Sequence, residues 1–232
     1  MKDKNGLQWI RLDNVPSTNE YAKNKAFDGD VAVLSRRQTG GKGTKGRIFE
    51  SLEGGVYLTL VRRFENLPSK DAFKIMAGVC TAVCKTLVSC GVKPVVKWPN
   101  DVHVGGKKIC GILIENTFSG ANISRSIIGI GVNVNNVLSA QLQEIATTLS
   151  QETGKNFDVD DVAKRIADGV YAPFSMDEYL SFVGYMGGEA DLLIGDKRVK
   201  AKLLRVDETG GLVCEIDGKE TRFTALEISL RV

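Results

Sequence analysis

Lys97-Trp98-Pro99-Asn100-Asp101, continuing through Val102-His103-Val104-Gly105-Gly106-Lys107-Lys108-Ile109-Cys110-Gly111-Ile112-Leu113-Ile114-Glu115, is the stretch on which the architecture turns. Val95 to Trp98 reads as a strand that Pro99 ends, and Asn100-Asp101 suits a turn. Val102–Val104 and Ile109–Glu115 are two further strands joined across Gly105-Gly106 as a tight hairpin, with Lys108 just past its tip. Strands that follow one another through turns, with no helix between them, point away from a doubly wound parallel sheet. They predict an α+β fold with a mixed, largely antiparallel sheet.

The flanking sequence supplies the rest of that sheet and its helices. Ser17 with Glu20 three residues on is a capping box, which predicts a helix from Ser17 to about Lys25. Val31–Arg37 and Val56–Val61 read as strands on either side of a glycine-rich loop. Between Ser69 and Cys90 apolar residues recur at helical spacing and stop at Gly91; Cys80 and Cys84 lie on that apolar stripe and read as core. Ile123–Val134 is another strand, and residues 138–185 turn helical, most clearly from Asp158 to Tyr171. After Gly187-Gly188 the texture changes to five short strands separated by turns, which predicts a small SH3-like β-barrel and a division into domains 1–186 and 187–232.

Composition narrows the chemistry. The chain has 232 residues, 43% apolar and 25% charged, with 31 basic against 28 acidic side chains: an ordinary globular composition with no strong pull toward nucleic acid. Its five cysteines are odd in number and lack metal-ligand spacing, so no disulfide framework or zinc site is expected and a cytoplasmic location is. The polar start Met1–Gly6 carries no export signal, and no run of about 18 apolar residues points to a membrane span. His103 is the single histidine, which excludes His-rich metal sites, and no Gly-x-Ser-x-Gly elbow accompanies it. Chemistry must therefore rest on lysine, arginine, carboxylates, amides and backbone N–H groups.

Gln38-Thr39-Gly40-Gly41-Lys42-Gly43-Thr44-Lys45-Gly46-Arg47 combines glycines with cations, a composition that suits phosphate and equally suits a solvated hairpin loop. Gly41-x-Gly43-x-x-Gly46 matches a dinucleotide fingerprint by letter, but no helical period follows it. No Walker loop and no kinase signature is present. In the strand–turn–hairpin, Lys108 would be held near the Asn100–Asp101 pair, although a turn-forming Asn-Asp and an edge lysine explain the same residues.

Together these residues resemble the biotin protein ligases. The family's basic glycine loop stands as Gly41-Lys42-Gly43-Thr44-Lys45-Gly46-Arg47, its Lys-Trp-Pro-Asn-Asp block at 97–101, and its Lys-x-x-Gly-Ile-Leu segment at 108–113. Ser17-Thr18-Asn19, Gly129-Ile130-Gly131-Val132-Asn133 and Glu227-Ile228-Ser229-Leu230-Arg231 follow the family's order as well. Trp9–Val15 lead directly into Ser17, so the resemblance is to the monofunctional type without a DNA-binding domain.

That resemblance implies ATP-dependent formation of biotinyl-5′-adenylate, with Mg²⁺, and transfer of biotin to a lysine of a biotin carboxyl carrier protein or domain. It implies no DNA or membrane partner, and a monomer or a homodimer, for which Leu58–Val61 offers a candidate sheet edge. It assigns Lys108, Asp101 and Lys42 to catalysis. Ser17, Thr18, Asn19, Gln38, Gly41, Lys42, Lys108 and Gly111 are assigned to biotin. Arg47, Phe49, Lys97, Asn100, Asp101, Asn133 and Arg231 are assigned to ATP, and no residue to the metal. Two positions depart from the family: Thr44 replaces an arginine that helps retain the adenylate, and Phe49 replaces a tryptophan. Weaker retention of the intermediate is the expected result. The rival readings are a lipoate–protein ligase, echoed by Arg36-Arg37-Gln38-Thr39-Gly40-Gly41, a catalytically impaired biotin-binding relative, and a non-catalytic nucleic-acid-binding module.

Overall fold

Gly105 and Gly106 adopt φ of +58° and +81°, the conformation a two-residue hairpin turn needs and other residues resist. They join β5 (Asp101–Val104) to β6 (Lys107–Ser119), and β4 (Val95–Lys97) precedes them. The computed structural model describes residue 3, residues 5–225 and residues 227–231; the side chains of Lys45 and Arg231 fall outside that description. With β1 (Gln8–Val15), β2 (Val31–Gln38), β3 (Val56–Pro68) and β7 (Asn122–Val132), these strands form a seven-stranded sheet in the order β1-β2-β3-β7-β6-β5-β4. Only the β1–β2 pair is parallel, with α1 (Thr18–Lys23) in the connection, so the sheet is mixed and largely antiparallel as the sequence predicts.

β1 is the strand the sequence reading does not anticipate. β3 runs longer than Val56–Val61 and is paired on both sides, with β2 and β7; Leu58–Val61 is therefore central, and the expectation of a free edge there is wrong. The sheet's edges are β1 and β4.

Against the sheet pack α2 (Ala72–Ser89) and α5 (Val159–Tyr171), with α3 (Ala140–Gln143), α4 (Leu149–Thr153) and α6 (Met176–Phe182) in the connections. The segment Ser69–Ser89 is long and apolar enough to cross a membrane, a property that the apolar-run count from sequence does not register. Its buried face packs on α5, α6 and β6, which makes it a core helix. Ser17 caps α1 through Glu20 N–H, but the Glu20 carboxylate turns outward to pair with Lys42.

Five strands follow: β8 (Glu189–Ile194), β9 (Lys197–Val206), β10 (Leu212–Ile216), β11 (Lys219–Phe223) and β12 (Ile228–Arg231). They form a second, antiparallel sheet in the order β11-β10-β9-β8-β12, consistent with the small SH3-like unit expected; among the described residues β11 and β12 are not paired with each other. Its inward residues Leu192, Leu203, Leu212 and Cys214 join the same apolar core as Leu58, Leu87, Trp98 and Ile130, so one core runs beneath both sheets. Long-range polar ties reinforce it: Asn5 Nδ2 donates to Asp168 at 2.6 Å and Tyr171 Oη to Asp30 at 2.7 Å.

Candidate active site

A cavity of about 470 Å³ opens over the face of the seven-stranded sheet, from β2 and α1 at one end to β5, β6 and the 138–146 connection at the other. The strands at its centre carry Gly111, Gly129 and Gly131, which leave room where side chains would otherwise stand. Phe49 fills part of that room, its ring 2.7 Å from where a Cβ on Gly131 would lie, and meets Tyr57 edge-on at 6.4 Å.

At the α1 end the walls are hydroxyls and amides. Gln38 Oε1 accepts from Thr18 N–H at 2.8 Å and from Thr18 Oγ1 at 3.1 Å, while Gln38 Nε2 donates to Ser51 Oγ at 2.9 Å. Thr59 Oγ1 lies 2.8 Å from Thr18 Oγ1 and 2.6 Å from Asn19 Oδ1. Ser17, Thr18 and Asn19 are buried, so this network is fixed before any ligand arrives. It presents donors and acceptors but no charge, which suits a neutral polar ligand head such as a cyclic urea.

At the other end stands a charged pair. Lys108 Nζ lies 2.7 Å from Asp101 Oδ1, both side chains mostly shielded from solvent, because the hairpin places the two residues on adjoining strands of one face. Lys97 and His103 line the same wall. Burial, then the charge of Lys97, hold the His103 imidazole below its usual pKa, against Asp101 and the Gly106 carbonyl, which pull the other way. Asn100 closes the turn through Nδ2 to the Ile112 carbonyl at 2.7 Å. Asn133 Nδ2 donates to the Thr147 carbonyl at 3.1 Å, and its Oδ1 accepts from Asn136. Both amides thus hold the walls in place as well as facing the cavity.

The basic loop folds back over this space. Gly43 N–H donates to the Arg47 carbonyl at 2.7 Å and Phe49 N–H to the Gly41 carbonyl at 2.9 Å, bracketing a 3₁₀ turn at Thr44–Gly46. Lys42 pairs with Glu20, whose carboxylate raises the Lys42 pKa and is itself lowered by it. Thr44 Oγ1 accepts from Arg47 Nη2 at 2.9 Å.

Ser17, Thr18, Asn19, Gln38, Lys42, Arg47, Phe49, Lys97, Asn100, Asp101, Lys108, Gly111 and Asn133, all singled out from sequence, line this one cavity. Gly41 does not; it sits at the loop's base, where a Cβ would fall 2.4 Å from the Phe49 carbonyl oxygen. The expectation for the Arg231 side chain falls outside the described residues. Sequence reasoning missed Thr59, which bonds to Thr18 and Asn19 without lining the cavity, and the lining residues Tyr57, Leu138, Leu142, Glu144, Ile145 and Ala146. The connection is tied to the reactive hairpin by Lys108 N–H to the Ile145 carbonyl at 2.9 Å and Thr147 N–H to the Lys108 carbonyl at 2.9 Å.

Residues 11–133 match the model of the biotin/lipoate A/B protein ligase family. The chain is 35% identical over 147 residues to the bifunctional ligase/repressor BirA of Bacillus subtilis, a match covering 61% of this chain and 45% of that protein. It thus spans about half the length of that relative. It is 32% identical over 165 residues to the biotin–[acetyl-CoA-carboxylase] ligase of Paracoccus denitrificans, covering 67% of this chain and 68% of that one. The structure superposes on the biotin protein ligase of Aquifex aeolicus in complex with biotin and ATP with a TM-score of 0.79 and 32% identity, over 96% of this chain and 98% of the other.

Proposed function

The chain belongs to the biotin/lipoate A/B protein ligase family, and from that premise we propose that it joins biotin to ATP as biotinyl-5′-adenylate and transfers the biotinyl group to one lysine of a biotin carboxyl carrier protein or domain. One observation carries this reading: an uncharged hydroxyl–amide cluster and the Lys108–Asp101 pair open into the same cavity, at opposite ends of a glycine floor. A long ligand with a neutral polar head and an acidic tail fits that order, its carboxylate ending beside Lys108.

In the first step a biotin carboxylate oxygen attacks the α-phosphorus of ATP and pyrophosphate departs with the bonding electron pair. Two anions must approach, so a fixed cation between them lowers the barrier, and Lys108 holds that place. Lys42 and Arg47 bring further positive charge over the phosphates from the loop, and Lys97 does so from β4. Thr18, Asn19 and Gln38 orient the ureido ring, while Asn100, Asn133 and the 138–146 connection bound the nucleotide. In the second step a neutral lysine amine of the carrier attacks the acyl carbon, AMP leaves, and an amide forms; Asp101 is placed to accept the amine's proton. The described residues contain no cluster of three metal-ligating side chains. In this reading Mg²⁺ enters with the nucleotide as MgATP, where it would neutralise phosphate charge.

The Paracoccus denitrificans relative and the Aquifex aeolicus structure are both ligases of biotin by name, which favours biotin over lipoate. The same reading places the enzyme in the cytoplasm beside its carrier. It treats residues 1–186 as the catalytic part and 187–232 as a smaller β domain. ATP–pyrophosphate exchange by the purified protein, with biotin or lipoate as the only acid, tests it. Exchange with biotin alone is expected. Exchange with lipoate alone would transfer the assignment to the sister activity, and none with either would leave a binding protein.

A further inference from the structure

Trp98, in the Lys97–Asp101 block, reaches the second sheet. Its indole is 3% exposed, and its N–H, the only polar group of the ring, donates to the Gly210 carbonyl at 3.0 Å across 112 residues. Gly210 belongs to the β9–β10 turn, with φ of +84°, and is pressed so closely on α2 that a Cβ there would lie 2.0 Å from Phe73 Cγ. That turn is a rigid object. Asp207 Oδ1 accepts from Thr209 N–H at 2.9 Å, Thr209 Oγ1 at 2.8 Å and Gly211 N–H at 2.8 Å, and its other oxygen accepts from Arg222. Arg222 also reaches Thr209 Oγ1 at 2.6 Å. Burial pushes the Asp207 pKa up, but these donors outweigh it and hold the carboxyl well below its usual range.

On the other side of Trp98 the chain passes Pro99, whose carbonyl accepts from Cys80 Sγ at 3.8 Å, and enters the cavity wall at Asn100 and Asp101. Asn100 is clamped to Ile112 in both directions, 2.7 Å from its Nδ2 and 3.1 Å to its carbonyl. Asp101 then meets Lys108. Hydrogen bonds thus lead from Arg222 and Asp207 through Gly210 to Trp98, and the backbone of residues 98–101 carries the connection on to the charged pair.

We propose that Trp98 is a positioning residue for the adenylation step, and that the Gly210 carbonyl, held by the Asp207–Arg222 turn, sets the place of the Asn100–Asp101 wall against Lys108. The second sheet thereby contributes to nucleotide activation through its β9–β10 turn without touching the substrate. The inference rests on the proposed ligase activity for its kinetic consequence and not for its structural one. Displacement of a reacting group by about 1 Å can lower a rate about a hundredfold, so a lost hydrogen bond behind the wall has a measurable effect.

The test uses the full chain and two substitutions. Trp98→Phe keeps an aromatic ring in the core and removes only the donor. Arg222→Gln loosens the turn from its far side. Trp98→Phe is expected to raise KM for ATP or lower kcat of biotin-dependent pyrophosphate exchange about tenfold, with the dissociation constant for biotin unchanged. Arg222→Gln should move the same parameter in the same direction by less. The double variant should match Trp98→Phe alone, because both act through one hydrogen bond. Wild-type kinetics in Trp98→Phe, or strict additivity in the double variant, would overturn the inference. Amide hydrogen exchange supplies a readout free of activity: Ile112 N–H should lose protection in both variants while the central amides of β3 and β7 keep theirs. Absence of exchange activity in the wild type would sink the ligase reading alone, and unchanged protection at Ile112 would sink the positioning role alone.

Discussion

Gly129 lies directly beneath Asn19: a Cβ at Gly129 would stand 2.4 Å from Asn19 Oδ1 and 2.8 Å from its Nδ2. β7 and α1 approach this closely only because residue 129 has no side chain. Asn19 in turn is held against Thr59 and cannot retreat without breaking the hydroxyl–amide cluster. Gly129→Ala should therefore destabilise the protein by about 1–3 kcal/mol, the usual cost of overpacking. It should also weaken biotin binding. Urea unfolding and equilibrium dialysis would check the two effects; wild-type affinity in the variant would show that the cluster does not bind the ligand head.

In the proposed adenylation, Lys108, paired with Asp101 in the cavity, is the cation between the two anions. Lys108→Ala should lower biotin-dependent pyrophosphate exchange by about a hundredfold or more, in line with the loss of a preorganised electrostatic group. Lys108→Arg should recover only part of it, because a planar guanidinium cannot take the position of a point charge beside Asp101. Exchange within a few-fold of wild type in Lys108→Ala would remove the residue from the reaction.

Thr44 faces the cavity and forms its side-chain hydrogen bond with Arg47 within the loop. An arginine at this position would reach farther and add a charge over the bound anhydride. Thr44→Arg should slow the escape of biotinyl-adenylate from the enzyme, measured by filtration of preformed complex into excess unlabelled biotin and ATP. Equal escape rates would show that the threonine is not what governs retention.

His103 links pH to stability. Its pKa is lowered in the folded protein by burial and then by Lys97. Above about pH 6.5, its value in an unfolded chain, it is neutral in both states and the contribution is intact. As pH falls below that value the unfolded chain takes up a proton that the folded one resists, and stability declines until the folded pKa is passed. His103→Gln should lose less stability than wild type between pH 7.5 and 5.5 in urea titrations. Parallel declines would refute the assignment.

The β5–β6 hairpin was legible because its punctuation is chemical: Pro99 and Asn100 stand in the turn that ends β4, and paired glycines at 105 and 106 favour a tight reversal. α2 and α5 were legible by periodicity. β1 was not, since Gln8-Trp9-Ile10-Arg11-Leu12-Asp13-Asn14-Val15 lies at a sheet edge and shows solvent-exposed residues at irregular intervals. Its parallel pairing with β2 is a tertiary choice that no local signal encodes. α3 and α4 span four and five residues, too few for a helical period to register. Thr59 looked like one more residue in an apolar strand; only the fold reveals that it faces Thr18 and Asn19. The 138–146 connection is held against the β5–β6 hairpin by backbone hydrogen bonds at Ile145 and Thr147, which carry no residue-type signature. Gly41 sits at the base of the loop, where the absence of a side chain admits the Phe49 carbonyl, a packing role that the motif alone does not reveal.

The ties of Asn5 to Asp168 and of Trp98 to Gly210 also set an order in time. During synthesis, at about 5–20 residues per second, the segment that forms the cavity emerges well before the residues that brace it. The indole N–H of a nascent chain waits for a carbonyl 112 residues downstream, and the part of the apolar core that Leu192, Leu203, Leu212 and Cys214 complete stays open until those residues are made. A polypeptide halted before residue 210 would thus display nearly every side chain of the site while lacking the contact that fixes its charged wall. The residues of the site are thus made before their brace, and a product cut short between the two would be a ready client for chaperones.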